Sequence, residues 1–374
     1  MPKYSSLSSS NRKDGRFVST PGLVHHLLSQ TPELAFDPDM SAEEHRKWKR
    51  QVKRKLRDLL AFPDGANEPA PILISDEPRD GYRIQKWELY PEPYSVVPFL
   101  MLIPDGASES NCAPAVLCMP GSQQPKEAMC GEPWNASWVN NFGEHEFMAK
   151  HFVRAGFVAV AFDNPGTCEL AHEDNRCHFR NALQLIWLGR TYEGLSTFHK
   201  LCALRWLRTL DSVDSTRIAA CGHSLGAKPA LLLGLLESSV RAVIWNGMAS
   251  DWRKRDAVTN LSRVAPWHYM PGFARYFDYM DLMAALAPKP LLITEGGRLD
   301  DHLRIRKAFN LNGVSSNFKV TFMPNFADPG KRYRKKMPEG IRPDGYGQYA
   351  NYDGDHYFKE DVAVPWLSKM MGVV

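Results

Sequence analysis

The chain has no run of about 18 consecutive apolar residues, the length that a membrane-spanning helix requires, so no membrane segment is expected among its 374 residues. Its seven cysteines, at positions 112, 118, 130, 168, 177, 202 and 221, are odd in number and lack C-x-x-C spacing. That argues against a disulfide framework and against a zinc knuckle, and it leaves Cys118 and Cys221, which sit inside apolar strand-like runs, as buried thiols. Charge of one sign is also scarce. The 46 Lys and Arg against 42 Asp and Glu leave a formal +4, too little to mark a nucleic-acid surface without a concentrated basic face. No internal repeat is evident. The N-terminus, MPKYSSLSSSNRKDGRF, has no apolar core of a secretory signal, and a cytoplasmic location is the expectation.

What is present is enough apolar material for a full core. Residues 1–40 are Ser-rich and broken by proline, with one short apolar piece at Leu23 to Leu28, and read as an extended or loosely packed arm before a single domain over 41–374. Ser41-Ala-Glu-Glu44 matches a capping box and predicts a helix to about Phe62. That helix carries eight Lys and Arg between Arg46 and Arg57, yet Trp48, Val52, Leu56, Leu59 and Leu60 form an apolar stripe at helical spacing, so the charges read as a solvated face. Strands are predicted at Arg83 to Leu89 and Val96 to Ile103, then at Ala115 to Met119, Val158 to Phe162, Ile218 to Cys221, Ala242 to Trp245, Leu291 to Thr294 and Val320 to Met323. Helices at Glu146 to Ala155, Leu195 to Leu210, Lys228 to Leu236, Met280 to Leu286 and Asp301 to Phe309 alternate with the later strands. Such alternation predicts an α/β fold, a mostly parallel sheet covered on both faces, with an antiparallel lead-in.

Within this order, Gly222-His223-Ser224-Leu225-Gly226 joins a predicted strand directly to a predicted helix. That is the setting of a nucleophile elbow, in which a tight turn exposes a serine at the C-terminal end of the sheet. A serine needs a base, and His356 lies in a glycine-containing loop after the last strand and before a closing helix, Phe358 to Met371. The acid that orients the base belongs after a late strand, in "LLITEGGRLDDHLRIRKAF". Asp301 is favoured slightly over its neighbour Asp300, with Glu295 and Asp251 as outsiders. Two N–H donors for the oxyanion are expected at Leu225 and in the loop Pro120-Gly121-Ser122-Gln123-Gln124, from Ser122 or Gln123.

On these residues the sequence resembles the α/β-hydrolase superfamily, and within it the acetyl xylan esterase-like, dienelactone-hydrolase-related carbohydrate esterases. The resemblance spans about residues 41–371 and rests on "AFDNPGTCEL", "CGHSLGAKPALLLG", "PKPLLITEGG" and the His356 loop. It implies a serine esterase working through an acyl-enzyme, with no metal and no organic cofactor. The implied partner is a small-molecule or oligosaccharide ester, with neither nucleic acid nor membrane. The chain departs from dienelactone hydrolases proper, which carry cysteine where Ser224 stands, and from the cephalosporin-deacetylase type in lacking its Arg-Gly-Gln-Gly stretch.

The aromatic-rich stretch from Asp251 to Met280, which includes Trp267, reads as a cap over the site. Ala327 to Asp355 reads as a second insertion, with Lys331, Lys335, Lys336 and Arg342. Lys228 follows the nucleophile by about one helical turn. Glucuronoyl esterases hold a lysine at a similar offset to read a uronate carboxylate, so a uronate ester is the alternative to an acetylated sugar. A non-catalytic hydrolase-fold binding protein is the alternative of a different class.

Overall fold

The computed structural model describes residues 20–63, 71–134, 142–171, 177–258, 265–334 and 346–373. Nine strands form one sheet: β1 (Ile72–Arg79), β2 (Tyr82–Glu92), β3 (Ser95–Pro104), β4 (Ala113–Met119), β5 (Val158–Phe162), β6 (Val213–His223), β7 (Val240–Asn246), β8 (Leu291–Ile293) and β9 (Phe318–Val320). Their spatial order is β1-β2-β3-β5-β4-β6-β7-β8-β9. The pairs β1/β2, β2/β3 and β3/β5 are antiparallel, and every pair from β5/β4 onward is parallel. This is the mostly parallel sheet with an antiparallel lead-in expected from the alternation.

The central strands are apolar without alternation because both faces are covered. All seven residues of β4 are buried. Ala115, Leu117 and Met119 join the cluster on one face, and Val116 and Cys118 join the cluster on the other, as the two-residue period of a strand dictates. Helices Ala42–Leu60, Tyr192–Leu207, Ala227–Leu236 and Tyr279–Leu286 pack on the first face. Helices Met148–Arg154 and Glu360–Met371 pack on the second.

Ser41 caps the first long helix in a full capping box with Glu44, and His45, Trp48, Val52, Leu56 and Leu60 are its buried residues. The predicted apolar stripe is therefore the docking face. Several elements differ from expectation. β1 and the helix His178–Trp187 are not among the predicted elements, and β1 is largely exposed on an edge where packing imposes little pattern. The helix expected from Glu146 begins at Met148, after a 3₁₀ turn over Glu144–Glu146. Residues 20–40 are docked: Thr20–Ser29 is helical, the Arg253 guanidinium donates to the Leu28 carbonyl at 2.7 Å, and Phe36 is 2% exposed in the core. Of the second insertion, Lys335, Lys336 and Arg342 lie outside the described residues, as does the rest of the arm. Among the described residues no helix is long and apolar enough to cross a membrane.

Candidate active site

β6 ends at His223, and the chain turns through Ser224–Gly226 straight into the helix Ala227–Leu236. Ser224 takes φ +52°, the left-handed region that a residue with a Cβ rarely adopts, at a cost of roughly 1–3 kcal/mol. The flanking glycines are obligatory on contact grounds. A Cβ on Gly222 would lie 2.0 Å from the Gly226 carbonyl oxygen, and one on Gly226 would lie 2.3 Å from that of Met119. The turn is thus wedged against the end of β4, and Ser224 stands half-buried at the C-terminal end of the sheet.

His356 arrives on the loop before the helix Glu360–Met371. Its Nδ1 lies 2.8 Å from Oε2 of Glu295, a carboxylate with no solvent exposure two residues beyond β8. A carboxylate accepts, so Nδ1 carries the proton and Nε2 is left as the basic nitrogen. His356 and Ser224 line the same two hollows.

The carboxylate that meets His356 is therefore Glu295, where Asp301 or Asp300 was expected. Gly296 and Gly297, at φ +71° and +124°, turn the chain away immediately after Glu295, and a Cβ on Gly297 would lie 2.0 Å from the Ala249 carbonyl oxygen. Asp300 and Asp301 consequently fall in the first turn of the helix Leu299–Leu311, where they favour its positive end. Asp301 accepts from the Asp251 backbone N–H at 3.3 Å, with the Lys254 Nζ 3.9 Å away, and burial pushes its carboxyl up to about 6. Asp300 is exposed and takes a 3.4 Å contact from Arg298. Asp251, the other outsider, accepts from the Lys254 backbone N–H.

Asn246, at the end of β7, ties the group together and was not legible in the sequence. Its Nδ2 donates to His223 Nδ1 at 2.8 Å, to the Tyr357 carbonyl at 3.0 Å and to Glu295 Oε1 at 3.3 Å. Its Oδ1 accepts from Thr294 Oγ1 at 2.8 Å and from the Lys359 N–H at 3.0 Å. His223 consequently presents an accepting Nδ1, and its complete burial holds its pKa well below the usual histidine range, so it stays neutral with its ring 4.4 Å from that of His356. His223, Glu295 and His356 bring ligand-capable atoms within 4.8 Å of one another, the one such grouping among the described residues. The Nδ1 atoms of both histidines and the Glu295 carboxylate are already engaged in the hydrogen bonds just given, so these contacts account for the grouping as an orienting network.

The loop after β4 is clamped from β5. Asn164 Nδ2 donates to the carbonyls of Pro120 at 3.2 Å and Gly121 at 2.8 Å. The Gly121 N–H goes to Gln124 Oε1 at 3.3 Å, which leaves Ser122 and Gln123 as the turn's candidates for oxyanion donation beside Leu225. Ser122 lines both hollows, Gln123 one and Leu225 the other. A second feature missed in the sequence is Glu146, which lines the first hollow; burial raises its carboxyl to about 7, and Gln124 Nε2 donates to it at 3.1 Å. Its role comes from folding, since the residues that contact it are remote in sequence.

The first hollow, about 410 Å³, lies between Gly121–Gln124 and Phe142–Glu146 and mixes polar with apolar lining. The second, about 220 Å³, is walled by Trp245, Met248, Trp252, Trp267 and His268. Trp267 thus sits where a substrate-contacting residue was expected. Lys228 also lines this hollow, but its Nζ is 3.7 Å from the buried Glu193 carboxylate and 3.8 Å from the centre of the Trp252 ring.

The chain is similar to known proteins over nearly its whole length. A model of the Abhydrolase family matches residues 2–369. The crystal structure of a candidate acetyl xylan esterase from Bacteroides fragilis superposes with a TM-score of 0.91 at 36% identity, covering 96% of this chain and 97% of that one. A glucuronoyl esterase from Solibacter usitatus shares the fold, with a TM-score of 0.57 at 15% identity over 76% of this chain and 86% of that one. A curated relative, the candidate hydrolase YtaP of Bacillus subtilis, is 23% identical over 113 residues; the match spans 30% of this chain and 38% of that protein.

Proposed function

The chain belongs to the Abhydrolase family, and on that footing we propose that it is a serine carbohydrate esterase that removes an acyl group, acetyl in the first instance, from a sugar hydroxyl. The observation that carries this reading is the pairing of a strained, half-buried Ser224 with a histidine whose tautomer is fixed by buried Glu295. In this reading His356 Nε2 takes the Ser224 hydroxyl proton while Oγ bonds to the acyl carbon. The negative charge moves to the carbonyl oxygen, where the Leu225 N–H and that of Ser122 or Gln123 receive it. The C–O bond to the sugar then breaks, with His356 returning the proton to the leaving oxygen. Water, deprotonated by the same nitrogen, releases the acid and restores Ser224. Glu295 keeps Nδ1–H in place and stabilises the imidazolium in both halves.

The similarity to a candidate acetyl xylan esterase over nearly the whole chain supports acetyl as the acyl group. A uronate-reading role would require the Lys228 charge for substrate, whereas Glu193 and the Trp252 ring already flank it. The test is turnover of p-nitrophenyl acetate and acetylated xylo-oligosaccharides together with labelling by a fluorophosphonate. Activity and labelling in the wild type, both lost in a folded Ser224→Ala variant, are the expected result. An unlabelled, inactive wild type would make the protein a hydrolase-fold binding protein instead.

A further inference from the structure

The two hollows meet at Ser122, Ser224 and His356, so an ester attacked by Ser224 is divided between them. The larger one offers Gln123, His145 and Glu146, groups that hydrogen-bond hydroxyls, and so suits the sugar. The smaller one, beside Leu225, is aromatic and suits the acyl group. Behind it lies a third cavity of about 400 Å³, largely apolar, bounded by Val24 and Leu28 of the helix Thr20–Ser29 and by Met270, Phe273 and Tyr279. Among the described residues, only Trp252 and His268 line both the acyl hollow and this rear cavity.

We propose that Trp252 and His268 are specificity-determining residues, a partition that limits the length of the acyl group by closing the hollow off from the apolar cavity behind it. The inference rests on the esterase reading above. The partition is held by several ring contacts. The two rings meet edge to face with centroids 4.9 Å apart, and the Trp267 ring lies 5.6 Å from that of His268. The Trp252 ring is held by Lys228 Nζ at 3.8 Å, by the Arg255 guanidinium at 3.5 Å and by an edge-to-face contact with Tyr279 at 5.7 Å. Displacing either ring to admit a longer chain would break these contacts, whereas shortening either side chain would join the two spaces without moving the backbone. An apolar chain passing through would then bury its methylenes against Met270 and Phe273 in place of water.

The experiment is a chain-length series at constant alcohol: p-nitrophenyl acetate, butyrate, hexanoate and octanoate, on wild type, His268→Ala and Trp252→Leu, with folding checked by circular dichroism and thermal melting. The wild type is expected to lose kcat/KM steeply beyond butyrate. Each folded variant is expected to raise the octanoate-to-acetate ratio of kcat/KM by about tenfold or more, the discrimination that pocket length ordinarily supplies. Because Trp252 supports two cations, His268→Ala is the variant that decides if Trp252→Leu does not fold. A wild type that hydrolyses octanoate as well as acetate, or folded variants with an unchanged profile, would overturn the partition while leaving the esterase reading intact. A wild type inactive and unlabelled throughout would remove the esterase reading and the partition with it.

Discussion

Nδ1 of His356 and Oε2 of Glu295 lie 2.8 Å apart, and the carboxylate is fully buried. In the proposed mechanism the orienting acid is therefore the second residue beyond β8, ahead of the glycine pair, and the adjacent aspartates that follow belong to a helix. Glu295→Gln should lower kcat by roughly a thousandfold or more, as expected when the orienting partner of a catalytic histidine is neutralised. Asp300→Asn and Asp301→Asn should each change it by less than about threefold, the effect of surface and helix-end charges. Steady-state kinetics on p-nitrophenyl acetate separate the two cases, and the Asp301 variant being the damaged one would reverse the assignment.

Asn246 serves five partners at once, from His223 to Lys359. Asn246→Leu keeps the branching at Cγ and strands their polar groups, each worth about 1–3 kcal/mol when left unmet in the interior. The variant should lose at least about 2 kcal/mol of stability by denaturant unfolding, with kcat falling and KM little changed because the carboxylate and His356 lose a common anchor.

Lys228 and Glu193 are both buried, and burial raises the Glu193 carboxyl to about 7 against the pull of Lys228 and Lys200. Lys228→Met should destabilise by roughly 3 kcal/mol or less, since the acid can take up a proton once its partner is gone. Adding Glu193→Gln should recover part of that loss, giving a non-additive cycle in thermal melting. Activity on acetyl and uronate methyl esters should fall by equal factors; a selective loss on uronates would restore carboxylate reading to Lys228.

His199 lies wholly buried on the helix Tyr192–Leu207, and burial lowers its pKa to about 3. Its unfolded pKa is near 6.5, so the folded state holds fewer protons than the unfolded one between those values. The stability this gives is complete above about pH 6.5 and is lost as pH falls toward 3. His199→Phe should therefore flatten the acid limb of a melting-temperature profile between pH 6.5 and 4. His302, lowered to about 4, acts in the same direction and will leave a residual slope.

The meeting of Ser224 and His356 at shared hollows was legible from short-range pattern: a glycine-flanked serine between strand and helix, and a histidine in a glycine loop before the closing helix. The acid was not. "TEGGRLDD" places three acids within reach, and only the backbone of Gly296 and Gly297, turned by the close approach of Ala249, separates them. The glycine doublet directly after Glu295 was the signal available. Asn246 and Glu146 carried none, since an Asn ending a strand and a Glu before a helix are ordinary, and their meaning comes from partners such as Lys359 that lie far along the chain. The same holds for β1, an exposed edge with no face to pattern.

The helix Ala42–Leu60 finds its anchors late in the chain. His45 pairs with the Ala284 carbonyl at 3.3 Å, Lys49 with that of Ala287 at 2.5 Å and Arg57 with that of Leu236 at 3.3 Å. During synthesis this segment emerges early and waits, apolar stripe uncovered, until residues some 180 to 240 positions further on have left the ribosome. Closing loops of that length before the contacts reward it is slow, and the uncovered stripe is the kind of surface on which nascent chains associate. Its dense positive charge repels other copies of itself over that interval. The basic face, outside the candidate site, thereby opposes contact between nascent copies of the helix Ala42–Leu60 until its seat has been made.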